Sequence, residues 1–279
     1  MRVLEVKQVH AHYGSKNLFS FGQKRRNVLH NISFGIDEGT CLGLIGTSGS
    51  GKSTLGKVIL GIHPPSSGHV LFQGKEMYKK GNEKLLRKDL QIVFQDAYSA
   101  VNPRMTVEQI IREPMENHQL GPSRDMRKQV IELLERVNLS ENELTRYPHE
   151  LSGGQLQRVT IARALAQKPK LIVLDESVSS LDMITKSLIL DLLADLKHEY
   201  NLSYLFITHD IKAAFTLSDQ IGVMEEGELI ELYESKDQFL LSHHPKVSEL
   251  RKSILAEHPR FRTVTPLPNE RTTVKQTFD

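Results

Sequence analysis

Gly46-Thr47-Ser48-Gly49-Ser50-Gly51-Lys52-Ser53-Thr54 decides how this sequence is read. It fits Gly-x-x-x-x-Gly-Lys-Ser/Thr, a loop whose backbone cradles phosphate. Thr40-Cys41-Leu42-Gly43-Leu44-Ile45 precedes it, a short apolar run that reads as a buried strand. Ser53 to Leu60 follows, with Leu55, Val58 and Ile59 at helical spacing. Strand, glycine-rich turn and helix therefore come in the order that phosphate binding requires. The glycines let backbone N–H groups turn inward, and the helix N-terminus adds positive potential. In this reading Gly46 to Thr54 hold the phosphates, Lys52 reaches the outer ones, and the Ser53 hydroxyl ligates Mg²⁺.

Composition bounds the rest. The chain has 279 residues, 39% hydrophobic and 25% charged, as in an ordinary globular protein. A net charge of +2 is too small to point to nucleic acid. The single cysteine, Cys41, lies in the expected buried strand and suits a reducing compartment. No stretch approaches the ~18 apolar residues of a membrane span. Met1-Arg2-Val3-Leu4-Glu5 lacks the pattern of a secretory leader. Any membrane role is expected to come through partner subunits.

Outward from the loop, Leu4 to Tyr13 and Val28 to Ile36 read as strands of an antiparallel flap. The basic loop Ser15 to Asn27 between them reads as a solvated tip. His69 to Phe72 reads as a strand, Tyr78 to Lys88 as a charged helix, and Gln91 to Gln95 as an apolar strand. From Ala97 strand signals give way to helical periodicity. Val107, Ile110, Ile111 and Met115 form one apolar face, and Val130, Leu133, Leu134 and Val137 another. This segment ends at Leu151-Ser152-Gly153-Gly154-Gln155, where a helix to about Gln167 begins. A hydroxyl and bare N–H groups at a helix start form a second possible anion site.

Leu171-Ile172-Val173-Leu174 is uniformly apolar and delivers Asp175-Glu176 at its C-terminal end. Ligands sit at that edge of open α/β sheets. Asp175 there can support a Mg²⁺ shell and Glu176 can deprotonate a water. Ser180-Leu181-Asp182 leads into a helix with Ile184, Leu188, Leu192 and Leu196 as its apolar stripe. Leu202 to Thr208 is another strand, ending in His209, whose imidazole could donate to a terminal phosphate. A helix from Ile211 to Leu217 and a hairpin around Glu225-Glu226-Gly227 follow. The expected divisions are 1–96 and 169–232 for an α/β core, 97–168 for a helical insert, and 233–279 for a tail.

The order of the motifs resembles the ATP-binding subunit of ABC transporters, over roughly Leu4 to Leu232. The resemblance implies a phosphate-loop NTPase core with a mainly parallel sheet, an antiparallel β flap and an inserted all-helical subdomain. It implies ATP and Mg²⁺ as cofactors and a head-to-tail dimer with each ATP between one chain's loop and the other's Leu151–Gln155 signature. Under it, Tyr13 stacks on adenine, although a tyrosine at a strand end is by itself more often structural. Gln95 senses Mg²⁺ and the attacking water, and Asp175 supports the Mg²⁺ shell. Glu176 is the general base, His209 meets the γ-phosphate, and Ser152, Gly153, Gly154 and Gln155 serve the partner's ATP.

Phe94-Gln95-Asp96, Asn102-Pro103-Arg104 and Ile111-Arg112-Glu113-Pro114-Met115 are similar to the peptide/nickel importer branch. Ala97 and Ala100-Val101 depart from the peptide pattern towards the nickel-import members. The expectation is thus an ATPase powering import of nickel or a nickel chelate, with di- or oligopeptide import as the alternative. A soluble ABC protein without transport is the further alternative. The branch implies two permease subunits, a solute-binding protein, a second and usually different ATPase chain, and a place on the cytoplasmic membrane face. Tyr98 and Arg104 are then expected at the permease contact.

Overall fold

The computed structural model describes residues 1–13, 26–82, 88–118 and 123–255. They fall into two compact units that part between Leu241 and Ser242. In the second, the described helix is Pro245–Leu255.

The first unit is built on a six-stranded sheet. Its strands are β3 (Cys41–Gly46), β6 (Leu90–Val93), β7 (Leu171–Asp175), β8 (Ser203–Thr208), β9 (Gln220–Glu225) and β10 (Glu228–Tyr233). They lie in the order β10-β9-β3-β8-β7-β6, all parallel except the β9–β10 hairpin. Every residue of β3 and β8 is buried, as strands covered on both faces must be.

Successive side chains of a strand point to opposite faces. Leu171, Val173, Leu205 and Ile207 therefore join one core, and Ile172, Leu174, Tyr204 and Phe206 the other. The first core is closed by α1 (Lys52–Ile59) and by an antiparallel sheet. That sheet has the order β2-β1-β4-β5, from β1 (Arg2–Tyr13), β2 (Arg26–Asp37), β4 (Ser67–Phe72) and β5 (Lys75–Glu76).

The second core is closed by helices: α2 (Val107–Asn117), α3 (Ser123–Arg136), α4 (Gly153–Leu165), α5 (Met183–Tyr200) and α6 (Ile211–Leu217). The first three stand between β6 and β7 in the chain, so the helical insert interrupts two neighbouring parallel strands. A last helix of this unit, α7 (Lys236–Leu241), buries Phe239 edge-on against Phe215 and Tyr233.

Four expectations need correction. Residues 78–82 are turn rather than helix, because the Tyr78 hydroxyl is pinned to the carbonyls of Val58 and His63, at 2.5 and 2.7 Å. Of the rest of that expected helix, 83–87 lie outside the described residues, and Lys88 is helical as expected. β6 stops at Val93, and Gln95 sits exposed in the bend beyond it. The signature helix ends at Leu165 rather than Gln167. On α5, Ile184 and Leu188 are 75% and 51% exposed, and the inward stripe is Ile189, Leu192, Leu193 and Leu196. The basic loop after Tyr13 lies, but for its last residues, outside the described residues.

Candidate functional site

β3 runs through the middle of the sheet and hands the chain to the phosphate loop. Gly51 caps α1 with φ 101°, a left-handed conformation that side chains resist, and a Cβ there would stand 3.0 Å from the Val28 carbonyl oxygen. Lys52 is only 4% exposed and folds back over the loop. Its ammonium donates to the carbonyls of Gly46 and Thr47, both at 2.8 Å, and to Ser50 Oγ at 3.3 Å. Burial holds the Lys52 pKa below its ordinary value, against the pull of Glu176 and Asp175. An ammonium so poorly hydrated is well placed to exchange carbonyls for phosphate oxygens.

The acids arrive from the neighbouring strands. Asp175 is the last residue of β7, opposite Ile207 of β8. Its Oδ1 accepts from Ser53 Oγ at 3.1 Å, so the two expected Mg²⁺-supporting residues already touch. Burial raises the Asp175 pKa, and the Ser53 hydrogen bond opposes the rise. Glu176 has φ 49°, an uncommon conformation for a non-glycine residue. Its N–H donates to the Ile207 carbonyl at 2.9 Å, which prolongs the β7–β8 ladder one step past the strand. His209, just beyond β8, brings Nδ1 to 3.4 Å from Glu176 Oε2.

A cleft of about 710 Å³ joins these parts. Ser48, Gly49, Gly51 to Thr54 and Glu176 line it. Asp175 and His209 reach it through Ser53 and Glu176. Tyr13 closes β1 opposite Arg26, and its side chain lies outside the described residues.

Gln95 lines a different cleft, of about 530 Å³, together with Tyr98, His149, Gly153 and Leu181. Ser152 stands at the start of α4 in a capping box: its Oγ accepts from Gln155 N–H, and Gln155 Oε1 accepts from Ser152 N–H. Ser152 and Gly153 are exposed, and neither lines the phosphate cleft. The sequence reading missed one wall of that cleft, formed by Asn27 and Val28 of β2 and the Glu226-Gly227 turn.

A magnesium ion fits the oxygen donors at the mouth of the loop. Ser53 and Asp175 present a hydroxyl and a carboxylate within one hydrogen bond of each other, the hard oxygen set that Mg²⁺ takes. Such an ion would neutralise phosphate charge there.

The ABC transporter family model matches residues 29–179. The chain belongs to that family.

The oligopeptide transport ATP-binding protein AppF of Bacillus subtilis (strain 168) is 38% identical over 256 residues, covering 90% of this chain and 78% of that protein. The dipeptide transport ATP-binding protein DppF of Lactococcus lactis subsp. cremoris (strain MG1363) is 41% identical, over 88% and 81%. Among solved structures, a dimeric ATP-binding cassette in a post-hydrolysis state with ADP and Pi superposes with a TM-score of 0.72. It is 30% identical, over 82% of this chain and 97% of that one. CbiO1 from Clostridium perfringens, part of an ABC transporter complex, gives a TM-score of 0.76 at 30% identity, over 93% and 96%.

The chain is thus an ABC ATPase, and the ABC fold expected from its motif order is the fold it has. The narrower expectation of nickel is not supported: the two relatives similar in sequence, AppF and DppF, carry peptide names. Among the described residues, no helix of this ABC ATPase is long and apolar enough to cross a membrane.

Proposed function

We propose that this ABC ATPase powers uptake of di- or oligopeptides from the cytoplasmic face of a membrane, bound to two permease subunits fed by a solute-binding protein. The observation that carries this reading is similarity to oligopeptide transport ATP-binding proteins along 90% or more of the chain. The ATP-contacting residues do not distinguish peptide from nickel, because the solute touches other subunits.

In the proposed cycle the loop N–H groups and Lys52 hold the β- and γ-phosphates, and Ser53 and Asp175 hold Mg²⁺. Glu176 takes a proton from the attacking water, and His209, held beside Glu176, donates to the γ-phosphate. The arrangement of Lys52, Ser53–Asp175 and Glu176–His209 around one cleft supports these roles. Tyr13 stacks on adenine, and Gln95 links the metal to the helical part, 97–168. Ser152 to Gln155 complete the nucleotide site of a second, usually different, ATPase chain.

The cleft beside Gln95 supports a permease contact. Tyr98 is 48% exposed there, on a turn whose Asp96 carboxylate accepts from the N–H groups of Tyr98 and Ser99. The test is purification of the complex from solubilised membranes, followed by ATPase assays in reconstituted vesicles with its solute-binding protein. Stimulation by peptides and not by nickel salts supports the proposal. Stimulation by nickel alone overturns the peptide reading, and co-purification with no membrane subunit overturns transport itself.

A further inference from the structure

The phosphate loop is held from outside by a residue far from it in sequence. β9 and β10 join through a two-residue turn, Glu226-Gly227, with φ values of 48° and 85°. Two successive positive φ values mark the hairpin turn that normally takes Asn-Gly or Asp-Gly. Glutamate in the first place is in a conformation uncommon for a residue with a side chain, one that the surroundings can hold. Here they do. Gly227 N–H donates to the Ser50 carbonyl at 3.0 Å, in the heart of the phosphate loop. Its own carbonyl accepts from His30 N–H of β2 at 2.8 Å. A Cβ on Gly227 would lie 2.3 Å from the Val28 carbonyl oxygen. Glu226 and Gly227 both line the phosphate cleft, and Ser50 is 2% exposed.

We propose that Gly227 is a positioning residue for nucleotide binding: its two hydrogen bonds clasp the phosphate loop to β2 and hold the loop N–H groups in phosphate-binding geometry. The proposal rests on reading the cleft as the ATP site. The Ser50 carbonyl and N–H belong to adjoining peptide planes, so anchoring the carbonyl restricts which way the loop amides face. The Ser50 N–H donates to the Thr47 carbonyl at 3.2 Å, so the same residue also closes the loop internally. Only glycine fits, because the left-handed conformation and the close approach to Val28 coincide.

Gly227→Ala tests this against Gly74→Ala. Gly74 has φ 73° in the β4–β5 turn, with no atom within 4 Å of a built Cβ, so alanine there adds similar backbone strain without touching the loop. ADP binding to the purified chain and the KM and kcat for ATP are measured for both variants. We expect Gly227→Ala to weaken ADP binding and raise KM about tenfold or more, with a smaller change in kcat. Gly74→Ala should lower only the unfolding temperature. A Gly227→Ala protein that is less stable yet binds ADP like the parent overturns the proposal.

Hydrogen exchange on the unaltered protein covers the case in which Gly227→Ala does not fold. Coupling between clasp and ligand is reciprocal, so ADP should slow exchange at the Gly227 and His30 amides as well as in the loop. Protection of the loop with none at Gly227 or His30 sinks the clasp alone. No ADP protection anywhere sinks the reading of the cleft on which it rests.

Discussion

At the scale of single residues, two neighbouring carboxylates are set up for different work. Asp175 is half-buried and touches Ser53, whereas Glu176, also half-buried, turns through a left-handed backbone to meet His209. Glu176→Gln keeps the shape and removes the proposed base. It should retain ATP binding and lose about 10²–10⁴ of turnover, checked by nucleotide binding and phosphate release on the same preparation. Asp175 yields a prediction about stability. Its pKa is raised by burial, so ionisation costs the folded chain more than the unfolded one. The stability it contributes is full below the unfolded-state pKa, about 3.9, and is lost as pH rises through the higher folded value. In the absence of nucleotide, Asp175→Asn should therefore melt above the parent at pH 7, with the gap closing as the pH falls to about 4. Equal melting temperatures at pH 7 would contradict the burial argument. Magnesium-dependent hydrolysis should fall in the same variant.

At the scale of elements, α4 is fastened at both ends. At its start, a Cβ on Gly154 would stand 2.5 Å from Thr185 Cγ2 on α5, so the signature glycine is also a packing requirement. Towards its end, the Arg163 guanidinium donates to the Ala100 carbonyl at 2.9 Å and to Glu113 Oε2 of α2 at 3.1 Å. One side chain thus ties the signature helix to the segment after Gln95. Arg163→Ala should cost about 1–2 kcal/mol of stability and speed amide exchange across 98–102. Arg163→Lys should restore only part of this, since a lone ammonium cannot reproduce the two-pronged contact. Unchanged exchange in both variants would remove Arg163 from the link.

Elements were legible in the sequence where one local pattern sufficed. β3, β7 and β8 carry the apolar runs Leu42–Ile45, Leu171–Leu174 and Leu205–Ile207 because both faces are covered, and the phosphate loop carries its own spacing. The exceptions answer to distant partners. Tyr78 leaves helical geometry for two carbonyls near the end of α1, and Gln95 lies beyond β6 because Asp96 opens a turn of its own. Glu225-Glu226-Gly227 reads as a hairpin, but nothing near it in the chain shows that its glycine grips Ser50. The start of the signature helix reads as an anion site from its hydroxyl and bare N–H groups, but that Ser152 to Gln155 serve a second chain is implied only by family resemblance, since a capping box says nothing of a partner.

At the scale of the whole molecule, the phosphate cleft and the signature are separate surfaces of one chain. Ser152 and Gly153 are exposed and line no part of the cleft that holds Lys52 and Glu176. If the signature acts on a partner's nucleotide, two inactive variants should repair each other. Lys52→Ala disables a chain's own loop but leaves its signature intact. Ser152→Arg leaves the loop intact but blocks the signature. Each variant paired with itself has no complete site. A dimer of the two has one complete site, made from the Ser152→Arg chain's loop and the Lys52→Ala chain's signature. Mixing the purified variants should therefore produce ATPase activity that neither shows alone. Where the second ATPase chain of the transporter is a different protein, the same logic places Lys52→Ala and Ser152→Arg together in this chain. One complex site then loses its loop and its signature comes from the partner, while the other keeps the partner's loop but loses this chain's signature, so both sites fail. Lys52→Ala alone would spare the site built on the partner's loop. Were the signature to serve its own chain instead, mixing would restore nothing, and adding Ser152→Arg to Lys52→Ala would take away no further activity.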